Sequence, residues 1–247
     1  LSHQDDEIAI LNHIKKTVQS NDKLFIIYLT NGRIEKNETK EIIEIREKET
    51  LKALKKIGVD NENILFLGKK LEINSYELHN HLETTYNELS KFFQKFDDEK
   101  IIYTHAWEGG NVDHDSCFIL TLKLMRKFSN IKSAFQFSMY NSYNMPLNFY
   151  RAFSPIKVNG SLIKFDINFY DKIQFISLLF YYKSQIKIWF GLYPILILKI
   201  IFNKYGYLQN IEKNFELKRP HKNTLWYEKR NFITYDAIKI LFLKFLK

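Results

Sequence analysis

The chain has 247 residues, 45% of them hydrophobic, which allows a substantial core and excludes a disordered chain. A single cysteine, Cys117, excludes an internal disulfide framework and a cysteine-rich zinc site. The net charge of +9 is uneven: residues 1–150 hold 20 Lys/Arg against 22 Asp/Glu, and residues 151–247 hold 17 against 6, so the basic character belongs to the C-terminal part.

Taken in order, the chain alternates helix and strand. Residues 6–19 place Ile8, Leu11, Ile14 and Val18 at helical spacing. "KLFIIYLTNG" is a buried strand closed by a Thr-Asn-Gly turn, residues 38–57 are a charged helix ended by "IGV", and "NILFLG" is a short strand. Residues 75–96 are helical, "KIIYTHAWEGG" is a strand entering a Gly-Gly loop, residues 115–128 are helical and "SAFQFSMY" is a further strand. Helices between short apolar strands predict an α/β fold with βαβ units and a mostly parallel sheet. Residues 1–145 are expected to form the α/β core, with 146–247 as the C-terminal part of the same domain.

In such folds the reactive groups gather at the carboxyl ends of strands. Two polar clusters stand there, "SHQDDE" at residues 2–7 and "THAWEGGNVDHD" at residues 104–115. The first reads either as the acidic first turn of a surface helix, where the helix dipole favours negative charge, or as half of a metal site. The second reading requires a strand before residue 1, and the sheet's first strand is therefore expected to be missing. His3 and Asp6 stand three apart and can face one point from a loop entering a helix. With His114 they would make a three-ligand zinc set with a position left for water. Asp5, beside that set, could take the water's proton. Taken alone, the spacing also fits structural histidines.

The two clusters resemble the signatures of a known family, the PIG-L or LmbE-like N-acetylglucosaminyl deacetylases. "SHQDDE" is similar to A-H-P-D-D-E, and "GGNVDHD" to G-G-H-P-D-H. "LTNG" resembles the family's T-[DN]-G turn, "REKE" with "ALKKIGV" its R-x-x-E helix, and "YYKSQ" a late Ser-Gln motif, so that the resemblance covers roughly residues 1–185. It implies a Rossmann-like three-layer fold and zinc-dependent removal of an acetyl group from an N-acetylated amino sugar, free, nucleotide-linked or lipid-linked. It also implies one Zn2+ ion held by His3, Asp6 and His114, with Asp5 as general base and Arg46 near the sugar or its charged aglycone. The alternative for Arg46 is a helix-surface ion pair with Glu49, three residues on.

Three departures bear on activity. Gln4 stands where the family has proline, "IAILNH" replaces a Gly-Gly after the first motif, and Asn111 occupies the first histidine position of the second. Asn111 can donate a hydrogen bond to an oxyanion but cannot deliver a proton. His105 is the expected substitute proton donor, against the alternative of a strand-end histidine bonded to backbone. Glu108 and Asp113 are expected to orient the site or meet a sugar hydroxyl. A second reading follows from Asn111: a catalytically weakened member that binds a sugar or glycan.

The C-terminal part carries "IKIWFGLYPILILKIIFNK" and "AIKILFLKFLK". The uncharged run from Ile188 to Leu198 is shorter than the roughly 20 residues a bilayer span needs. It reads as a buried helix or as an interfacial one with aromatic and lysine anchors. No nucleic-acid-binding motif is present. The expected location is cytoplasmic, with peripheral membrane docking as the variant that suits the basic charge and a lipid-linked substrate.

Overall fold

A computed structural model of the chain describes residues 1–34, 38–147, 149–186 and 193–247. These form two compact units, each made of two stretches of chain. The first comprises residues 1–75 and 165–206, and the second 76–164 and 207–247.

In the first unit, Leu1 and Ser2 run beside strand β1 (Ile26–Tyr28). The Leu1 nitrogen donates to the Ile27 carbonyl at 2.9 Å, and the N–H groups of Leu29 and Thr30 donate to the carbonyls of Leu1 and Ser2, each at 3.0 Å. A short 3-10 turn, Asp6–Ile10, leads into helix α1 (Leu11–Gln19), which buries Leu11 and Ile14. Strand β1 pairs in parallel with β2 (Ile64–Phe66), Ile26 opposite Ile64 and Tyr28 opposite Phe66, across helix α2 (Glu41–Lys56). The buried residues of α2 are Arg46, Thr50, Ala53 and Leu54, a helical stripe that includes one arginine. Helix α3 (Leu67–Lys70) follows β2 directly, and a Cβ on Gly68 would stand 2.3 Å from the Thr30 backbone, so only glycine permits that approach. Helices Phe169–Leu179 and Tyr193–Phe202 complete the unit. Of the apolar run expected from Ile188 to Leu198, residues 188–192 lie outside the described residues, and the rest falls in the second of these helices.

In the second unit, helix α4 (Leu82–Phe93) precedes β3 (Lys100–His105), helix α5 (Val112–Lys127) and β4 (Ile131–Phe137). Strands β3 and β4 are parallel, Ile102 opposite Ala134 and His105 opposite Phe137. Strand β4 also pairs with β8 (Tyr205–Asn210), antiparallel at Gln136 and Gln209. The sheet order is β3-β4-β8-β7, where β7 is Leu162–Asp166, and the chain passes from one unit to the other within its last two strands. A small antiparallel pair joins β5 (Tyr140–Asn141) to β6 (Arg151–Ala152). Helix α5 is buried from Val112 to Leu122, which accounts for its lack of amphipathic pattern. The closing helix, Tyr235–Leu246, buries Ile238, Phe242 and Phe245, with the Phe242 ring 5.9 Å from Trp107.

The α/β class is as expected. Among the described residues the parallel pairs β1-β2 and β3-β4 lie in separate sheets, and β8 adds to β4 in the antiparallel sense. No helix among the described residues is long and apolar enough to cross a membrane.

Candidate metal-ligating and substrate-binding residues

The first unit carries His3, Asp5, Asp6 and Arg46. Ser2 Oγ donates to Asp6 Oδ2 at 2.8 Å and lies 2.8 Å from His3 Nδ1. A serine hydroxyl has one proton, so the His3 ring supplies the other one from Nδ1, and its lone pair is left on Nε2. The His3 N–H also donates to Asp6 Oδ2 at 2.6 Å, and Nδ1 stands 3.5 Å from that oxygen. An imidazole with its outer nitrogen so fixed, beside a carboxylate, is a donor pair suited to zinc.

Asp5 adopts φ 118, a left-handed backbone that costs energy in a residue with a Cβ. Its N–H donates to Glu7 Oε2 at 3.0 Å, which holds the turn. Glu7 also accepts from the hydroxyls of Tyr28, at 2.8 Å, and Tyr182. Burial pushes the Glu7 carboxyl up to about 7. Burial first, then the adjacent Asp6 charge, holds the Asp5 carboxyl well above the usual carboxylate range.

Arg46 is 3% exposed, so it is not the surface ion-pair residue of the alternative reading. Glu49 accepts instead from Ser184, from its N–H at 2.9 Å and its hydroxyl at 2.6 Å. With the Gln185 amide turned to satisfy both groups, its oxygen accepts from Arg46 Nε at 2.7 Å and Nη2 at 3.2 Å. Gly32, at φ +81, ends the "LTNG" turn where a Cβ would stand 2.4 Å from Gln4 Oε1 and 2.9 Å from Arg46. Four of the quoted motifs thus meet within one unit. Glu7, Tyr182, Ser184 and Gln185 were not assigned roles from sequence, although all four lie inside quoted motifs.

The second unit carries His105, Glu108, Asn111, Asp113 and His114. The second motif was expected as a loop, but helix α5 begins at Val112, so Asp113 and His114 occupy its first turn. Asn111 is the N-cap: its Oδ1 accepts from the Asp113 N–H at 2.8 Å and its Nδ2 faces the Tyr140 hydroxyl at 3.3 Å. His105 is the last residue of β3 rather than part of the loop, and it is fully buried. Its ring stacks on His114 at 4.0 Å between centroids and 4° between planes, with Phe137 at 4.8 Å.

Glu108 and Asp113 have internal work. Glu108 accepts from Ser138 Oγ at 2.6 Å, Asn141 Nδ2 at 2.8 Å, and the N–H groups of Met139 and Tyr140 at 2.7 and 3.1 Å. Four protein donors therefore occupy the carboxylate expected to meet a sugar hydroxyl. Burial raises its pKa, and those hydrogen bonds oppose the rise. Asp113 accepts from the N–H groups of Tyr76 and of Leu78, the latter at 3.1 Å. Asp115, which sequence reading passed over, accepts from the N–H groups of Glu108 and Gly109 at 3.3 and 3.2 Å, and burial holds its carboxyl well above the usual range. A Cβ on Gly110 would stand 1.9 Å from the Tyr140 carbonyl oxygen, so the Gly-Gly pair lets this loop close on the segment after β4.

Solved structures with a similar fold include several deacetylases. The chain is similar to a deacetylase of the teicoplanin biosynthesis pathway (TM-score 0.58, 14% identity, covering 84% of this chain and 94% of that one). It is likewise similar to the zinc-inhibited form of teicoplanin deacetylase Orf2 (TM-score 0.61, 12% identity, 84% and 94%). A third neighbour is the A40926 pseudoaglycone deacetylase Dbv21 (TM-score 0.58, 12% identity, 87% and 96%). At these identities the likeness is one of fold. No protein of curated function matches the chain in sequence. The family model described as PIG-L, GlcNAc-PI de-N-acetylase, matches residues 1–125, which include both polar clusters, and the chain belongs to that family.

Proposed function

We propose that the protein is a zinc-dependent N-deacetylase that hydrolyses the acetamide of an N-acetylated amino sugar. The observation that carries this reading is the His3–Asp6 turn, where Ser2 Oγ meets both side chains so that the His3 lone pair lies on Nε2, and where Asp5 is buried alongside in a strained backbone. Family membership supports it, as does the deacetylase activity named for the neighbours, and the zinc-inhibited form of one of them supports a metal-binding site in this fold. His3, Asp6 and His114 are the assigned ligands. When bound, the ion would polarise the acetyl carbonyl and lower the pKa of the attacking water to roughly 7.

Asp5 takes the proton as water adds to the carbonyl carbon, from its buried place beside the ligand turn. When the C–N bond breaks, Asp5 returns that proton to the nitrogen, giving acetate and the free amine. His105 is buried against the His114 ring, so we assign it to holding that ring rather than to proton delivery. Asn111, its oxygen committed to the helix cap, offers Nδ2 to the developing oxyanion. Arg46, held by Gln185, is the assigned contact to the sugar or its aglycone.

The test is release of acetate and free amine by zinc-loaded protein from N-acetyl sugars in free, nucleotide-linked and lipid-linked form. Asp5→Asn should keep the metal and lose turnover by roughly 10²–10⁴-fold. His114→Ala should lose stoichiometric metal. Metal binding without turnover on every substrate would favour the weakened, glycan-binding reading that Asn111 suggests.

A further inference from the structure

Residues 165–206 expose large apolar side chains on two helices. The first presents Phe169 (77% exposed), Tyr170 (74%) and Ile173, with Phe180 just beyond it, and the second presents Leu198, Ile201 and Phe202 (78%). Positions 169, 173 and 180 follow helical spacing, as do 198, 201 and 202, so each helix shows one apolar stripe. Their inner sides bury Leu178, Leu179 and Ile200. Lys172 Nζ donates to the Ile201 carbonyl at 2.7 Å, and the Ile167 N–H donates to the Lys204 carbonyl at 2.9 Å. The start of the first helix therefore adjoins the end of the second, which brings Phe169 and Phe202 to one end of the pair. Single exposed apolar residues are ordinary, but a contiguous group of this kind marks an interaction surface.

Beside this face lies a cleft of about 580 Å³ lined by Lys15, Lys16, Lys56 and Tyr170 among others. Lys15 is 2.7 Å from Asp171 and 5.9 Å from the Tyr170 ring, while Lys16 and Lys56 are exposed. Tyr170, next to Phe169 on the same helix, thus sets the cleft beside the apolar stripe. Lys183 and Lys204 are exposed on the same segment, which holds five lysines against two aspartates.

We propose that this face docks on an anionic lipid bilayer, with the apolar stripes at the acyl boundary and the lysines on lipid phosphates. Charge selects this occupant. A second copy of the chain in a two-fold pairing would set the patch against itself, lysine facing lysine. An anionic bilayer offers hydrocarbon to the stripe and phosphate to its basic rim. Docking needs no spanning helix, and none is present among the described residues. The inference does not depend on the deacetylase reading, since it uses none of the proposed catalytic groups.

The test is co-sedimentation of the full chain with vesicles of equal parts phosphatidylcholine and phosphatidylglycerol, against phosphatidylcholine alone. Binding is expected to the mixed vesicles only, weakening as salt rises. Lys16→Gln with Lys56→Gln should weaken it by roughly 25-fold, at about fivefold per lysine. Phe169→Ser with Phe202→Ser should weaken it by at least roughly tenfold, with far-UV circular dichroism and melting temperature unchanged. Failure to bind anionic vesicles, or variants that bind like the parent, would overturn the proposal. So would concentration-dependent dimerisation that the Phe169→Ser, Phe202→Ser pair abolishes, which would assign the face to a second copy.

Discussion

Glu108 separates an internal anchor from a substrate contact. Its Oε1 accepts from two backbone N–H groups, Met139 and Tyr140, and its Oε2 accepts from Ser138 Oγ and Asn141 Nδ2. All four donors lie in the segment after β4, so one buried carboxylate ties the loop after β3 to it. Glu108→Ala leaves those donors unanswered and opens a cavity. Unpaired buried donors cost roughly 1–3 kcal/mol each, but some recover water or shift, so a loss of about 3–5 kcal/mol is expected. For a chain of this size that is a fall in melting temperature of roughly 6–20 °C. Glu108→Gln can keep its oxygen on the two backbone donors while its NH2 meets Asn141 Nδ2, donor against donor, at a cost of about 1–3 kcal/mol. Thermal and urea denaturation of the three proteins, with matched KM measurements, is the assay. If Glu108→Ala melts within about 2 °C of the parent while KM rises, the carboxylate serves the substrate and the anchoring argument fails.

Asn111→Ala should cost about 1 kcal/mol through the lost cap of α5, whereas Asn111→Asp should hold stability, because both Asn and Asp accept from the Asp113 N–H; urea midpoints decide it. Gly110→Ala drives a Cβ onto the Tyr140 carbonyl oxygen and should cost at least about 2 kcal/mol, read as a lower melting temperature. Burial, then the Arg219 and Lys229 charges, lowers the His221 pKa to about 4, below its ordinary 6.5. The unfolded chain therefore binds more protons in that window, so stability is full above about pH 6.5 and declines as pH falls toward about 4. His221→Gln should flatten that decline in a pH series of denaturation midpoints.

Local sequence patterns carry the order of elements and the two polar clusters. Strands β1 to β3 fall inside the predicted apolar runs, β4 overlaps its run but starts two residues earlier, and α2 fills most of its predicted span, because apolar periodicity and turn residues act locally. The family was legible for the same reason: its signatures are short runs whose chemistry depends on neighbours in sequence. Tertiary structure decided which polar groups are spent inside the protein. Glu49 meets Ser184 across 135 positions, and Arg46 is buried beside Gln185 rather than paired on a helix surface. Glu108 looked like a substrate contact until the segment after β4 supplied its four donors, and Asn111 looked like a loop residue until α5 began immediately after it. A buried polar atom must find a partner wherever packing delivers one, and that partner's place in the chain follows no local period.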